Sequence, residues 1–202
     1  MRSDPEDVLA TLRSALAHEL GQPLAVARGY LELLELRNDD ATRQLAPARI
    51  REAIERAVLL SLHLARLLEV ELGTEAEETP GAEAMAAARD HVAGLAASRG
   101  VEIEEHGVPA EADGVAVGLL LTAAVERAER GSTVHVTAED DGRVAIRWEG
   151  DAFPAPVASR VEASGWAGDS ASLAPHVARR RLAALGRRLR LEPQELGISA
   201  VG

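Results

Sequence analysis

Apolar residues recur every three or four positions through the first third of the chain, which predicts two long helices. The first helix is expected to begin near Ser3-Asp4-Pro5, since Asp and Pro favour helix N-termini, and to end at Asn38-Asp39-Asp40. The second is expected to begin at Pro47 and to run to about Leu72. The apolar positions of the two helices include Leu9, Leu12, Leu16, Leu20, Leu24, Leu31, Leu34, Ile50, Ile54, Ala57, Leu60, Leu64 and Leu68.

Two long helices with a short connection predict an antiparallel hairpin over residues 1–74. One hairpin cannot bury both of its apolar stripes, whereas two hairpins can do so as a four-helix bundle. We therefore expect a homodimer. An acidic stretch that ends in Pro80-Gly81 predicts a linker over residues 75–82.

From residue 83 to 202 the pattern alternates between helical and strand periodicity, which predicts an α+β domain. Helices are expected over 83–98, 115–130 and 173–185, and strands over 101–105, 133–138, 144–148 and 188–191. Asp140-Asp141-Gly142 predicts a hairpin turn between the two middle strands. The expected arrangement places helices on one face of a small, mostly antiparallel sheet.

The amino-acid composition excludes several kinds of catalytic and binding site. All 22 basic residues are Arg, so a catalytic or phosphate-loop lysine is excluded, and cysteine is absent, which excludes thiol catalysis and fits a reducing cytoplasm. A net charge of −11 and only 2% aromatic residues disfavour nucleic-acid binding. No apolar run approaches the roughly 20 residues of a membrane span.

The segment around His18 has an unusual exposed face. If Leu16, Leu20 and Leu24 form the buried stripe, His18 lies about 160° away from it on a helix and faces water. Small or short polar residues share that face, namely Thr11, Ser14, Ala15, Gln22 and Ala25. Such a face would let another protein approach closely. Glu19 can accept the Nδ1 proton of an imidazole and leave Nε2 as the nucleophile, although a His-Glu pair alone also describes an ordinary surface histidine.

His-Glu-Leu-Gly-Gln-Pro-Leu at residues 18–24 resembles the phosphorylation box, His-Glu-Leu-x-x-Pro-Leu, of bacterial sensor histidine kinases. By this resemblance His18 is the phosphorylated residue and Glu19 is its acid–base partner. Gln22 occupies the place where related proteins orient a water molecule for dephosphorylation, and there Thr or Asn is more usual.

The order of elements after residue 83 is similar to the ATPase domain of the same kinases, but three nucleotide-binding motifs of that family are altered. Ala123 and Arg127 stand where the family has asparagines, and a cationic Arg127 cannot coordinate Mg²⁺. Asp151 and Phe153 replace two glycines, and Ser170-Ala171-Ser172 replaces the glycine-rich phosphate loop. The resemblance therefore implies a degenerate ATPase α/β sandwich.

Together these features predict a cytoplasmic histidine phosphotransferase that moves phosphate between His18 and receiver-domain aspartates without ATP. No cofactor or metal is expected on this chain, since the receiver domain supplies Mg²⁺. Two alternatives remain, namely a divergent ATP-dependent histidine kinase and a pseudokinase that binds a kinase or a response regulator without transfer.

The other histidines, His63, His91, His106, His135 and His176, show no metal-ligand spacing in the sequence, and His63 is expected to pack among leucines. The arginines between Arg179 and Arg190 are interpreted as a solvated basic face, with binding to an anionic partner surface or to nucleic acid as the alternative.

Overall fold

The computed structural model describes residues 20–37, 39–71, 76–139, 141–162 and 170–200. The helices are α1 Gly21–Leu36, α2 Asp40–Glu71, α3 Gly81–Arg99, α4 Gly114–Arg127, α5 Ala155–Glu162 and α6 Ser170–Ala184. The strands are β1 Thr79–Pro80, β2 Glu102–His106, β3 Glu111–Ala112, β4 Thr133–Ala138, β5 Val144–Trp148, β6 Arg187–Glu192 and β7 Glu195–Ala200. Within these ranges, none of the helices combines the length and the apolar character that crossing a bilayer requires.

Helices α1 and α2 form the predicted hairpin within the described residues, and α2 begins earlier than expected. The expected start of the first helix near Ser3-Asp4-Pro5 lies outside the described residues. Helix α2 starts at Asp40, and Pro47 lies inside it, so the prediction that Pro47 begins the helix is wrong. The start is set by Asp39, whose Oδ1 accepts a hydrogen bond of 2.8 Å from the amide of Thr42. That bond also lowers the pKa of Asp39. Pro47 is the eighth residue of the helix and has no amide proton, so the carbonyl of Arg43 receives no hydrogen bond from it, yet the helix continues to Glu71.

The buried face of α1 differs from the predicted leucine stripe. Within the single chain α1 buries Pro23 and Ala27, whereas Leu24 is 55% exposed and Leu31 is 50% exposed. Small residues on α1 and α2 let the two helices pack closely, and this turns the large leucines outward. The predicted burial of Leu24 belongs to a bundle of two hairpins, so its exposure in one chain leaves that prediction untested.

The five-stranded sheet has the strand order β2-β4-β5-β7-β6. Strands β2 and β4 are parallel, and the other neighbours are antiparallel. Side chains alternate between buried and exposed along β4, so one face of the sheet is solvated there while the other packs on the helices. The result is the predicted α+β layer, with β1 and β3 forming a separate antiparallel pair.

Most of the predicted elements of the second region are confirmed within a few residues, but four were not predicted. The eight-residue helix α5 follows Pro154, and β7 carries Gly197, which is disfavoured in strands and weakens the strand pattern. The short strands β1 and β3 contain only two residues each. Helix α3 starts at Gly81, directly after β1 and two residues before the predicted start, so its first residues lie in the stretch expected to be a linker.

Helix α4 lies at the centre of the core, with every residue from 116 to 125 buried. Asp113 caps its N-terminus by accepting hydrogen bonds from the amides of Val115 at 3.0 Å and Ala116 at 3.1 Å. The same carboxylate accepts a 2.6 Å hydrogen bond from Nε of Arg181 on α6. Both side chains are buried, so this pair fixes α6 against the start of α4.

Helix α2 belongs to the hairpin and also packs on the second region. Its buried leucines Leu59, Leu60, Leu64 and Leu67 belong to the same core cluster as α4 and the sheet. Next to them, Nε2 of His63 lies 3.2 Å from Nε2 of His91 on α3. Burial and the neighbouring His91 lower the pKa of His63 to about 3, and burial also lowers the pKa of His91. This contact is therefore a hydrogen bond between neutral imidazoles.

Candidate functional site

The structure describes only part of the predicted phosphoacceptor site. His18 and Glu19 lie outside the described residues, as do Thr11, Ser14 and Ala15. Gln22 and Ala25 lie in the first two turns of α1, and both are exposed, as predicted from the sequence. The described part of the site therefore begins at Leu20, immediately after the expected acid–base pair.

A pocket of about 270 Å³ lies between α1 and α2 at this end of the hairpin. It is lined by Gln22, Pro23, Val26, Tyr30, Arg49, Glu52, Ala53 and Arg56. Its charged groups come from α2, and Arg49 and Arg56 are about half exposed. A partner that approaches the start of α1 would thus meet two arginines beside Gln22.

Glu52 connects the hairpin to the second region through three arginines. Its carboxylate accepts hydrogen bonds from Nη1 of Arg49 at 3.1 Å, from Nη1 of Arg99 at 3.4 Å, and from Nη2 of Arg130. Arg99 ends α3 and also donates to the carbonyl of Ala128 at 2.9 Å. Each partly exposed pair contributes only about 0–1 kcal/mol, but together they fix how the hairpin faces the second region.

Arg127 lies at the C-terminal end of α4, where the resemblance places a Mg²⁺-binding asparagine. Its guanidinium donates to the carbonyl of Ala123 at 2.8 Å and lies 4.3 Å from the centre of the Phe153 ring. Burial lowers the pKa of Arg127, while Glu126 and Asp151 oppose this effect. Phe153 is buried beneath this cation, so the two side chains form one cation–π contact.

The loop that carries Phe153 is hydrogen-bonded to the end of α4. The amide of Asp151 donates to the carbonyl of Arg127 at 2.9 Å, and Nε1 of Trp148 donates to the carbonyl of Asp151 at 2.9 Å. Gly150 is needed at this point, because it has φ 142° and a Cβ there would lie 2.3 Å from the carbonyl oxygen of Arg127. The loop therefore lies directly on the backbone of α4.

A second pocket, of about 250 Å³, lies between this loop and the hairpin. It is lined by Glu52, Arg56, Leu95, Arg99, Glu126, Arg127, Asp151, Ala152 and Pro154. Its walls carry three arginines and three carboxylates. Nε of Arg56 lies 3.7 Å from Glu126 across it, which joins α2 to α4. Arg56 and Glu52 also line the first pocket, so the two pockets are neighbours along α2.

Solved structures with a similar fold include bacterial signalling proteins. A bacterial phosphotransferase solved at 1.7 Å matches over 98% of this chain and 98% of its own, with 17% identity and a TM-score of 0.56. The histidine kinase ThkA, solved in complex with the response regulator protein TrrA, matches over 95% of this chain and 61% of its own, with 14% identity and a TM-score of 0.54. The Acinetobacter baumannii histidine kinase AdeS matches over 90% of this chain and 95% of its own, with 14% identity and a TM-score of 0.50.

The chain has the histidine-kinase fold. No protein-family model matches the sequence, and no curated protein matches it. The likeness therefore lies in the fold, and it extends over nearly the whole chain. The resemblance that the sequence suggested is confirmed at the level of the fold.

Sequence reasoning missed several residues that shape the site within the histidine-kinase fold. Glu52 and Arg56 look like ordinary helix-surface residues in the sequence, but both reach the second region. His63 was expected to pack among leucines, and it does so, yet its hydrogen bond to His91 was not foreseen. These contacts join residues that are far apart in the sequence, so no local pattern reveals them.

Proposed function

We propose that this protein is a histidine phosphotransferase of a two-component phosphorelay, which passes phosphate between receiver-domain aspartates through His18 and does not use ATP. The observation that carries the proposal is the contact of Arg127 with Phe153 in a chain that also contains the phosphorylation box. By the sequence resemblance, a cation and an aromatic ring occupy the positions that bind Mg²⁺ and nucleotide in the kinases. The fold likeness to a bacterial phosphotransferase over the whole chain supports the same function.

In the proposed reaction, Nε2 of His18 attacks the phosphorus of a receiver aspartyl phosphate. The new N–P bond forms as the acyl O–P bond breaks, and the aspartate leaves as a carboxylate. Before transfer, the carboxylate of Glu19 accepts a hydrogen bond from Nδ1–H, which keeps the imidazole in the reactive tautomer. As the N–P bond forms, the Nδ1 proton passes to Glu19, which leaves a neutral phosphohistidine ring. Transfer to a second receiver is the reverse of this step on another aspartate. Receiver-bound Mg²⁺ is expected to offset the phosphoryl charge, and the chain contributes mainly positioning.

The receiver is proposed to dock on the small-residue face formed by Thr11, Ser14, Ala15, Gln22 and Ala25. The exposure of Gln22 and Ala25 supports this placement. Arg49 and Arg56 beside Gln22 pair with Glu52 and Glu126, but Glu52 is shared with Arg99 and Arg130 as well. The four arginines therefore outnumber the two carboxylates, which suits a partner that carries a phosphorylated carboxylate. Small side chains matter because the reacting atoms must approach to roughly 3–3.5 Å, so the receiver surface has to lie almost on the helix.

A homodimer is proposed from the apolar surface of the hairpin. In the described part of the chain, ten of the eleven exposed large apolar side chains lie on α1 or α2. Ile54, Val58 and Leu62 are spaced four apart and form a stripe on α2, opposite its packed leucines. A continuous apolar surface of this kind is typical of an interface. A second hairpin would cover it and complete a four-helix bundle.

The first prediction concerns ATP. We expect no binding tighter than about 1 mM when the intact protein is titrated with ATP and Mg²⁺ in a calorimeter. The physical reason is that the guanidinium of Arg127 repels Mg²⁺ and that Phe153 fills space a nucleotide would need. Micromolar binding, or autophosphorylation from ATP alone, would instead support the divergent-kinase alternative.

The second prediction concerns the phosphoacceptor. His18→Gln should abolish the acid-labile label that appears when the protein is mixed with labelled phospho-receiver. Glu19→Gln should keep the acceptor and slow its labelling by ~10²–10⁴-fold, the usual range for acid–base catalysis. His106→Gln removes an exposed histidine elsewhere and should change nothing. Label retained in His18→Gln would refute the transfer function, and a receiver that binds without any transfer to wild type would indicate a pseudokinase.

The third prediction concerns the dimer. Val58→Glu places a charge in the proposed interface and should convert the dimer into a monomer, measured by sedimentation or light scattering. Val108→Glu is the matched control, because Val58 and Val108 are 50% and 48% exposed and Val108 lies outside the hairpin. The control should leave the mass unchanged. Equal behaviour of the two variants would contradict an interface on the hairpin.

The fourth prediction tests the docking face. Ala25→Arg should weaken receiver binding by about tenfold or more, that is, by at least about 1.4 kcal/mol, because a long side chain holds the partner away from the helix. Dimer mass and thermal stability should hardly change, since Ala25 is exposed and Arg is a good helix former. Ala41→Arg makes the same change at the far end of the hairpin and serves as the control. Unchanged receiver binding in Ala25→Arg would mean that partners dock elsewhere.

A further inference from the structure

Three metal-ligating side chains meet on the solvated face of the sheet, on the side away from the helices. Glu104 and His106 lie two residues apart on the edge strand β2, so both point to the same face. His135 lies on β4 directly beside Glu104, since the parallel register pairs these two residues. All three side chains are about half exposed.

The donor atoms of these residues converge. Nδ1 of His135 lies 3.2 Å from Oε2 of Glu104, and Nε2 of His106 lies 3.5 Å from Oε1 of the same carboxylate. The ligand atoms of the three side chains all lie within 4.8 Å of one another. The imidazole rings are nearly parallel, with centres 6.0 Å apart. Glu104 is therefore flanked by a ring nitrogen on each side.

We propose that Glu104, His106 and His135 bind a divalent transition-metal ion of the zinc class. Two imidazoles and one carboxylate form a ligand set suited to Zn²⁺, Co²⁺ or Ni²⁺, whereas Mg²⁺ prefers oxygen ligands alone. Bonds of 2.0–2.1 Å in a tetrahedral site separate neighbouring donors by about 3.3 Å. Nδ1 of His135 is already near that spacing from Oε2 of Glu104, and Nε2 of His106 is near it from the other carboxylate oxygen, Oε1. All three side chains are exposed, so rotation of the carboxylate and the imidazoles can bring one donor of each onto a common ion.

The charges around the triad favour a cation. Glu102 lies two residues before Glu104 on β2, so it is on the same face and adds a second carboxylate. Arg147 of β5 lies beside His135 in the register, but its Nε is held 2.6 Å from Oε2 of Glu195, and this bond raises the pKa of Arg147. The nearby positive charge is thus neutralised by its own partner. A bound ion would join the edge strand β2 to β4, and water would fill its remaining coordination positions.

The test is calorimetric titration of the intact protein with ZnCl₂, compared with MgCl₂ under the same conditions. We expect one Zn²⁺ per chain at micromolar concentrations and no heat from Mg²⁺ at that level. Glu104→Gln, His106→Gln and His135→Gln should each weaken Zn²⁺ binding by about tenfold or more. Glu102→Gln is the matched control, because it makes the same charge change on the same strand and face without removing a ligand, so it should weaken Zn²⁺ binding far less than Glu104→Gln does.

A spectroscopic measurement separates this site from other histidines of the chain. Cu²⁺ bound to wild type should show coupling to two nitrogens in electron paramagnetic resonance, and either single histidine variant should reduce this to one. Wild-type affinity for Zn²⁺ weaker than about 100 µM would overturn the proposal. Equal affinity in wild type and in all three triad variants would do so as well, since the ion would then be bound elsewhere.

Discussion

The burial of helix α4 is the constraint on which the rest of the structure depends. A helix that is apolar all round has to be covered on every side, and here the sheet, α3 and α6 provide the cover. Gly114 and Gly118 let α3 approach, since a Cβ on Gly114 would lie 2.8 Å from the carbonyl oxygen of Ala84, and one on Gly118 would lie 3.1 Å from Cβ of His91. The buried pair of Asp113 and Arg181 then fixes the start of α4 against α6.

The same helix determines what the second region can do. The N-terminus of α4 is fixed by Asp113, and the rigid helix therefore fixes the position of Arg127 at its C-terminal end. The backbone of Arg127 holds the loop of Asp151, and its side chain covers Phe153. A site that binds ATP and Mg²⁺ needs open space and oxygen ligands at this point. The contact of Arg127 with Phe153 occupies this end of α4, and it is the basis for proposing transfer without ATP.

Helix α2 has one side that packs on the second region and an opposite side that is apolar and exposed. One side packs leucines into the core of the second region, assisted by His63 and by the ion pairs of Glu52 and Arg56. The other side carries Ile54, Val58 and Leu62, which the described part of the chain leaves exposed. The packed side orients the second region beside the start of α1, and the apolar side is the basis for proposing a second copy. Both are possible because α2 is long enough to pack on the second region with one side and to present the proposed dimer interface with the other.

The sequence by itself determined the elements and the candidate acceptor. Local periodicity located most helices and strands, and the motif around His18 identified the fold before any coordinates, because these signals lie within a few consecutive residues. It placed the start of α2 wrongly, since the capping bond of Asp39 outweighs the general preference of Pro47 for a helix start. Only the tertiary structure decided which distant residues meet, as with Arg127 on Phe153, Glu52 among three arginines, and His135 beside Glu104. The physical reason is that such contacts depend on strand register and helix packing, which are set by the burial of the whole core and leave no trace in local spacing.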